Sequence, residues 1–313
     1  MGEKGVLLPV SSLPRGRFGE GRKFVDWLVS QNYKYWEVLP LNPRDEFGSP
    51  YNSPSSLTID PKYGSKKEWL ALKSYANSYG VKIIGDLPFF VSAGSREYQN
   101  NKQYFLTDQF SGAPPDYYSK KGQLWGHPQY NWEVLEKDDF RFFFKRLKIA
   151  LKLYDLVRLD HFRGYHAVWS VPKKYKSAKR GKWVKVPGEK LFKLLRKKYP
   201  KQIFIAENLG HIIPAVEKLR QKFKFLGSAV IQFGENNSED LVYYTSNHDS
   251  ETLVGRFGKE SLKYLAKVLD APAAIKIIPM WDVLGLGNEA RFNKPGTKKG
   301  NWKWKLSFRN LCL

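Results

Sequence analysis

Cysteine is almost missing from this chain: a single residue, Cys312, in 313. No disulfide can close within it, which argues against a disulfide-stapled secreted scaffold and for an intracellular protein. Long apolar runs are missing as well. Nothing approaches the roughly 18 apolar residues of a membrane helix. The N-terminal "MGEKGVLLPVSSLPRG" holds too short an apolar stretch for a signal peptide, so none is expected. Acidic residues are scarce, with 30 Asp and Glu against 53 Lys and Arg and a net charge of +23. Between Lys173 and Lys201 there are 13 Lys or Arg and one acid, Glu189. Such a run can serve a polyanion. No zinc-finger spacing or RNP-like motif accompanies it, so a solvated basic face is expected, and neither nucleic acid nor membrane is the expected partner.

Aromatic residues are plentiful, with 20 Phe, 18 Tyr and 10 Trp. They suit a large core and a sugar-binding cleft equally. No short repeat stands out. What recurs is a strand-like apolar run followed by a helix-like amphipathic one. The strand candidates are 5–10, 35–41, 82–91, 156–162, 203–209, 227–233, 241–249 and 274–284. Most are apolar at consecutive positions, as parallel strands covered on both faces are. Helices are predicted over 21–31, 136–155 and 187–199. In the second, Phe140, Phe143, Phe144, Leu147, Ala150, Leu151 and Tyr154 share a face, with Asp138 and Asp139 at the favourable end of the dipole. The stretch 234–240 is too short for a helix, so one crossover is expected to be abbreviated. Eight strand–helix units predict an α/β fold, a (β/α)8 TIM barrel, as one domain over 1–313.

In that fold the chemistry sits at the C-terminal ends of the strands. The third candidate strand leads to Asp86, the fourth to Asp160 and His161, the fifth to Glu207, and the seventh to His248 and Asp249. One carboxylate at a strand–helix junction is commonly a helix cap. Four, each on an apolar strand, are more than capping accounts for. Glycoside cleavage needs such a set. A retaining enzyme uses one ionised carboxylate as nucleophile and one protonated carboxyl as acid/base, roughly 5–5.5 Å apart. In "DLVRLDHFRGY" Arg158 would keep Asp160 ionised, while Glu207 would be the group whose pKa rises. A metal site made from the same Asp, Glu and His is the rival reading, without the His-x-x-x-His spacing that would support it. No phosphate-cradling glycine loop is present, and neither metal nor cofactor is expected.

The blocks "GVLLPVSSLP", "YWEVLPLNP", "SPYNSPSS", "IIGDLPFFV", "PPDYYSKKGQLWGHPQYNW", "YDLVRLDHFRGY", "IAENLG", "LVYYTSNHDSET" and "DVLGLGNEARFNKPGTKKGNWKW" run from end to end of the chain. In them the chain resembles the 4-α-glucanotransferases (amylomaltases, or disproportionating enzymes) of glycoside hydrolase family 77. The resemblance implies a cytoplasmic enzyme of maltodextrin, starch or glycogen metabolism. It would transfer α-1,4-glucan segments to the 4-OH of glucose or a maltooligosaccharide by retaining double displacement, without metal or cofactor. It implies that Asp160 is the nucleophile, Glu207 the general acid/base, and Asp249 the residue that binds sugar hydroxyls and stabilises the transition state. Arg158, His161 and His248 would orient the reacting groups, and Asp86 would support them at the rim. Tyr51 would stack on a sugar or close the donor pocket. Trp125 and Gly126 match a mobile loop on the acceptor side, and Asn293 a loop near the C-terminus.

The chain departs from the family pattern at Gly48, usually Asp, at His127 in "LWGHP", usually Asn, and at Asn208 in "AENLG", usually Asp. "NHDS" replaces "THDN". The blocks also lie closer together. A helical insertion that usually follows "SLTIDPKYGSKKEWL", near 60–70, is largely missing, the region 255–275 is shortened, and the chain stops soon after "GNWKWKL". A compact barrel with a trimmed accessory subdomain and a weaker hold on long glucans is therefore expected. A retaining α-glucan hydrolase and a trimmed, inactive glucan-binding barrel stay open as alternatives.

Overall fold

Eight apolar runs lie side by side as parallel strands: β1 Glu3–Leu7, β2 Tyr35–Glu37, β3 Lys82–Leu87, β4 Leu156–Leu159, β5 Phe204–Ala206, β6 Gly227–Val230, β7 Leu241–Tyr244 and β8 Ile275–Pro279. The computed structural model describes residues 2–115 and 119–311, so Cys312 lies outside the described residues. Spatially the strands follow the order β6-β7-β8-β1-β2-β3-β4-β5. Leu226, just ahead of β6, bridges Ile205 of β5. Ala206 N donates to the Leu226 carbonyl at 2.7 Å and Leu226 N to the Phe204 carbonyl at 3.0 Å. These bonds join the two ends of the sheet, giving a (β/α)8 barrel without an open edge.

Alternation along the short strands separates two cores. Leu7, Tyr35, Ile84, Leu156, Ile205, Val230, Val242, Tyr244, Ile275 and Ile277 fill the barrel. Their neighbours Val6, Trp36, Ile83, Val157 and Phe204 face outward into a second apolar layer. That layer takes Phe24, Trp27 and Leu28 from helix Gly21–Ser30, and Trp69, Leu72 and Ala76 from Lys66–Ser78. It also takes Leu147 and Ala150 from Arg141–Leu153, and Leu191, Phe192 and Leu195 from Gly188–Lys198. Gly5 points into the barrel, where a Cβ would lie 2.6 Å from the Tyr35 Cβ and 2.7 Å from the Ile277 side chain. No side chain fits there.

All eight predicted strands exist, and each is shorter than its apolar run. The runs continue into one-turn helices, Val10–Ser12 after β1 and Met280–Val283 after β8, both largely buried, and Ile231–Phe233 after β6, in which Ile231 is buried. Hydrophobicity alone does not separate these from strand. The abbreviated crossover is present: a turn and an irregular loop link β6 to β7. The helix predicted over 136–155 is two helices, Trp132–Lys137 and Arg141–Leu153. Asp139 and Phe140 between them adopt left-handed φ values of 48° and 53°. This turn lets Phe140 N close on the Leu135 carbonyl while its ring is buried.

A second sheet has no counterpart in the sequence reading. Its strands are antiparallel, in the order Gln123–Tyr130, Phe105–Ala113, Ala167–Pro172, Lys182–Lys185. The first two come from the connection after β3 and the last two from the connection after β4, so the sheet stands beside the mouth of the barrel at those strands. Among the described residues no helix is long and apolar enough to cross a membrane.

Candidate active site

The top of the barrel interior is polar. Glu37 on β2, Asp86 on β3, Arg158 on β4 and Tyr244 on β7 are all buried there. Such a layer is costly unless its charges are paired. Arg158 supplies the pairing. Its Nη1 lies 2.5 Å from Asp86 Oδ2 and 3.6 Å from Asp160 Oδ1, and its Nη2 lies 4.0 Å from Glu207 Oε1. One guanidinium therefore serves three carboxylates. Burial pushes Glu37 up to about 7, with Arg158 opposing the shift. Burial likewise raises Asp86, again against Arg158.

Asp160 and Glu207 stand above this layer and are partly exposed, their side chains 24% and 19% accessible. Phe89 N donates to Asp160 Oδ2 at 3.2 Å. His161, one residue on, takes a left-handed φ of 47°. That turn aims its backbone N–H at Glu207, donating to Oε2 at 2.8 Å. Burial drives the Glu207 carboxyl up to about 8, and the Asp160 charge adds to the rise while Arg158 opposes it. Glu207 is thus protonated at neutral pH. The histidines hold no charge there: burial lowers His127 and His161 to about 4 and also lowers His248.

The loop after β7 is fixed from behind. Thr245 Oγ1 and Ser246 Oγ each donate to Asp282 Oδ2 at 2.6 Å, and Leu253 N donates to Asp282 Oδ1 at 2.7 Å. Asn247 Oδ1 then accepts from Asp249 N and Ser250 N, both at 2.9 Å, a turn typical of asparagine. This presents Asp249 to the cleft. Asn293 Nδ2 donates to its Oδ1 at 2.6 Å, and Arg291 Nη2 to its carbonyl at 3.0 Å. Tyr51 donates its phenol proton to Asp86 Oδ2 at 2.8 Å. Its oxygen lies 3.1 Å from His248 Nε2, which donates in return. The two rings stack 5.5 Å apart at 13°.

These groups surround a cleft of about 660 Å³. Tyr51, Trp125, Arg158, Asp160, His161, Glu207, His248, Asp249 and Asn293 all line it. Asp86 does not. It was expected at the rim, but it lies beneath the floor at 3% exposure, held by Tyr51 and Arg158. Gly126 is also off the lining. Its φ of +77° favours glycine and turns the chain between Trp125 and His127, which do line the cleft. Both belong to the strand Gln123–Tyr130 rather than to the loop that was expected. Trp125 meets His161 edge-on at 5.0 Å, and Phe90 stacks on His127 at 5.9 Å. Asn208 braces the β5 end: Ser228 N donates to its Oδ1 at 2.7 Å, and its Nδ2 donates to Glu217 at 3.0 Å.

Several residues escaped the sequence reading. Glu37 carries the same signal as Asp86, a carboxylate closing an apolar strand. Asp282 lies within the eighth apolar run. Phe90 and Trp302, also on the cleft wall, give no local signal, because they reach it through tertiary packing.

Comparison with known proteins agrees with this geometry. The sequence model of glycoside hydrolase family 77, 4-alpha-glucanotransferase, matches residues 8–67, 62–265 and 259–310. A 4-alpha-glucanotransferase of Aquifex aeolicus is 43% identical over 277 residues, covering 77% of this chain and 57% of the relative. One from Thermus thermophilus is 36% identical over 318 residues, covering 86% and 63%. The chain thus spans little more than half the length of these relatives. Among solved structures, an amylomaltase from Streptococcus agalactiae in complex with acarbose superposes with a TM-score of 0.93 at 25% identity. That match covers 99% of this chain and 96% of the other.

Proposed function

The chain belongs to the glycoside hydrolase 77 family of 4-alpha-glucanotransferases, and we propose that it transfers α-1,4-glucan segments to the 4-OH of glucose or a maltooligosaccharide by retaining double displacement. The observation that carries this reading is the pair of carboxyl groups at the cleft floor. Asp160 and Glu207 share one arginine, yet burial raises Glu207 to about 8. A carboxyl group that keeps its proton beside a second carboxyl group is what the acid/base of a retaining mechanism needs.

In the first step Asp160 attacks the anomeric carbon of the donor while Glu207 gives its proton to the leaving glycosidic oxygen. The C–O bond breaks and a glycosyl ester forms on Asp160. In the second step the ionised Glu207 takes the proton of the acceptor 4-OH. That oxygen then attacks the anomeric carbon and Asp160 leaves as carboxylate. Asp249, steadied by Asn293, binds sugar hydroxyls and favours the distorted ring. Arg158 keeps negative charge tolerable at the floor, and His161 and His248, both neutral, orient the sugar. Tyr51 packs the donor end, held through Asp86 from below. Trp125 and the turn at Gly126 bear on the acceptor side.

Near 60–70 and 255–275 the motif blocks lie close together, and this trimmed cleft suits short α-glucans. The lone cysteine suits a cytoplasmic place of action. Incubation with maltotriose tests the reading. Glucose together with oligomers longer than the substrate is the expected outcome. Products all shorter than maltotriose would instead make the chain a hydrolase.

A further inference from the structure

One wall of the cleft carries a polar ring that no other side chain uses. His127 lies on the strand Gln123–Tyr130, at an edge of the side sheet, and lines the cleft beside Trp125. It is half-buried, and among the described residues neither of its ring nitrogens makes a hydrogen bond. Its orientation is nevertheless set. Phe90 stacks on it at 5.9 Å and 17°, and Tyr130 stacks on Phe90 at 6.1 Å and 10°. The Tyr130 hydroxyl donates to the Phe89 carbonyl at 2.7 Å and accepts from Arg146 Nη1 at 3.0 Å, which pins these rings to the core. Trp125 lies 6.2 Å from Phe90 and 5.0 Å from His161, so the four rings form one wall.

That wall adjoins the acid/base. His161 is the residue whose backbone N–H holds Glu207. Glu207 acts on the oxygen shared by donor and acceptor, so the rings next to it flank the acceptor. Tyr51, His248, Asp249 and Asn293 stand on other loops, those after β2, β7 and β8, and surround the donor. Burial keeps the His127 imidazole uncharged at neutral pH, although the Asp160 charge opposes the shift. A neutral imidazole offers one N–H and one lone pair. Sugar hydroxyls both donate and accept, so they match that pair. Asparagine, the residue expected here from the family pattern, carries the same pair on a shorter side chain, without a ring to stack on Phe90.

We propose that His127 is a specificity-determining residue of the acceptor site, whose ring nitrogens hydrogen-bond hydroxyls of the glucose or maltooligosaccharide that takes up the glycosyl group. The inference rests on the transferase reading and names a residue that favours a sugar over water in the second step. A bound acceptor displaces water from the ring, and its hydroxyls take that water's place.

The test uses α-maltosyl fluoride as donor and glucose as acceptor. The burst of fluoride reads the first step, maltotriose reads transfer, and maltose reads capture by water. His127→Phe keeps the stack on Phe90, and His127→Ala leaves the cleft open. In both, KM for glucose should rise about tenfold, the loss expected for one or two neutral hydrogen bonds, and maltose should gain on maltotriose to match. The burst rate should stay within about twofold of the unsubstituted protein. His127→Asn, which returns a donor and an acceptor, should bring KM back to within about threefold. A merely structural role would lower the burst rate together with transfer and would not be rescued by His127→Asn. Should His127→Phe fail to fold by circular dichroism, His127→Ala decides. Transfer to glucose undiminished in the folded variants, or a burst that falls in step with transfer, overturns the proposal and leaves the transferase reading standing. An unsubstituted protein that releases fluoride yet forms no maltotriose at any glucose concentration would overturn both.

Discussion

Arg158 gives its shortest contact to Asp86, at 2.5 Å, and stands 3.6 Å from Asp160. The arginine is therefore anchored from beneath by a residue that does not reach the cleft. Asp86 also holds Tyr51, and through it His248. A carboxylate below the floor thus organises three residues above it.

Asp86→Asn is predicted to lower stability by about 3 kcal/mol, since removing one partner leaves a buried charge poorly compensated. The remaining carboxylates near Arg158 keep the loss at the low end of that class. The Asp86 charge contributes to the raised pKa of Glu207. Its removal should therefore also move the basic limb of the pH–rate profile to lower pH. Chemical denaturation and a pH series of kcat/KM read the two effects. An unmoved limb would remove Asp86 from this network.

In the unsubstituted protein, kcat/KM should fall above about pH 8 as Glu207 loses the proton it must donate. A profile flat through pH 9 would contradict the assignment of Glu207.

Stability carries the same signature. Glu207 and Glu37, raised to about 8 and about 7, keep protons in the fold that the unfolded chain has already released at neutral pH. Their contribution is complete below the ordinary carboxylate range and is lost as pH rises through their folded values. The lowered histidines His127, His161 and His248 act in the opposite sense, costing stability below about pH 6.5, where they would charge on unfolding. Tm should therefore peak close to neutrality and decline toward pH 9. A Tm that climbs steadily from pH 7 to 9 would refute this balance.

Asp282→Ala should cost about 3 kcal/mol or more, because Thr245, Ser246 and the Leu253 N–H lose a charged acceptor. The loop they fix presents His248 and Asp249, so KM for maltotriose should rise along with the loss of Tm. Loss of stability with unchanged kinetics would show that the loop holds its shape unaided.

The barrel was legible because its strands are buried on both faces and its helices are amphipathic. Those patterns are local, and Leu156–Leu159 or Gly188–Lys198 can be read from a dozen residues. The carboxylates were legible because a charge closing an apolar strand is conspicuous, as at Asp86, Asp160 and Glu207. The side sheet was not, because its central pairing, Phe105–Ala113 with Ala167–Pro172, joins residues far apart in the chain. One of its strands, Lys182–Lys185, is only four residues long. Strand ends were also missed, since the turns that follow are nearly as apolar as the strands they adjoin, and the break at Asp139–Phe140 was missed because Asp138 and Asp139 also suit the start of a helix. The contact order around Arg158 was beyond sequence reach: adjacency favoured Asp160, whereas strand register places Asp86 opposite Arg158.

The central claim is that Asp160 is the nucleophile and Glu207 the acid. Its most direct test uses Glu207→Gln and α-maltosyl fluoride, a donor whose fluoride leaves without a proton from the enzyme. Without Glu207 to activate an acceptor, the glycosyl ester should accumulate. Peptide mass spectrometry should find one maltosyl group on the peptide containing Asp160, and none in the double variant that also carries Asp160→Asn. A label on another residue, or no covalent adduct while fluoride is released, would contradict the account.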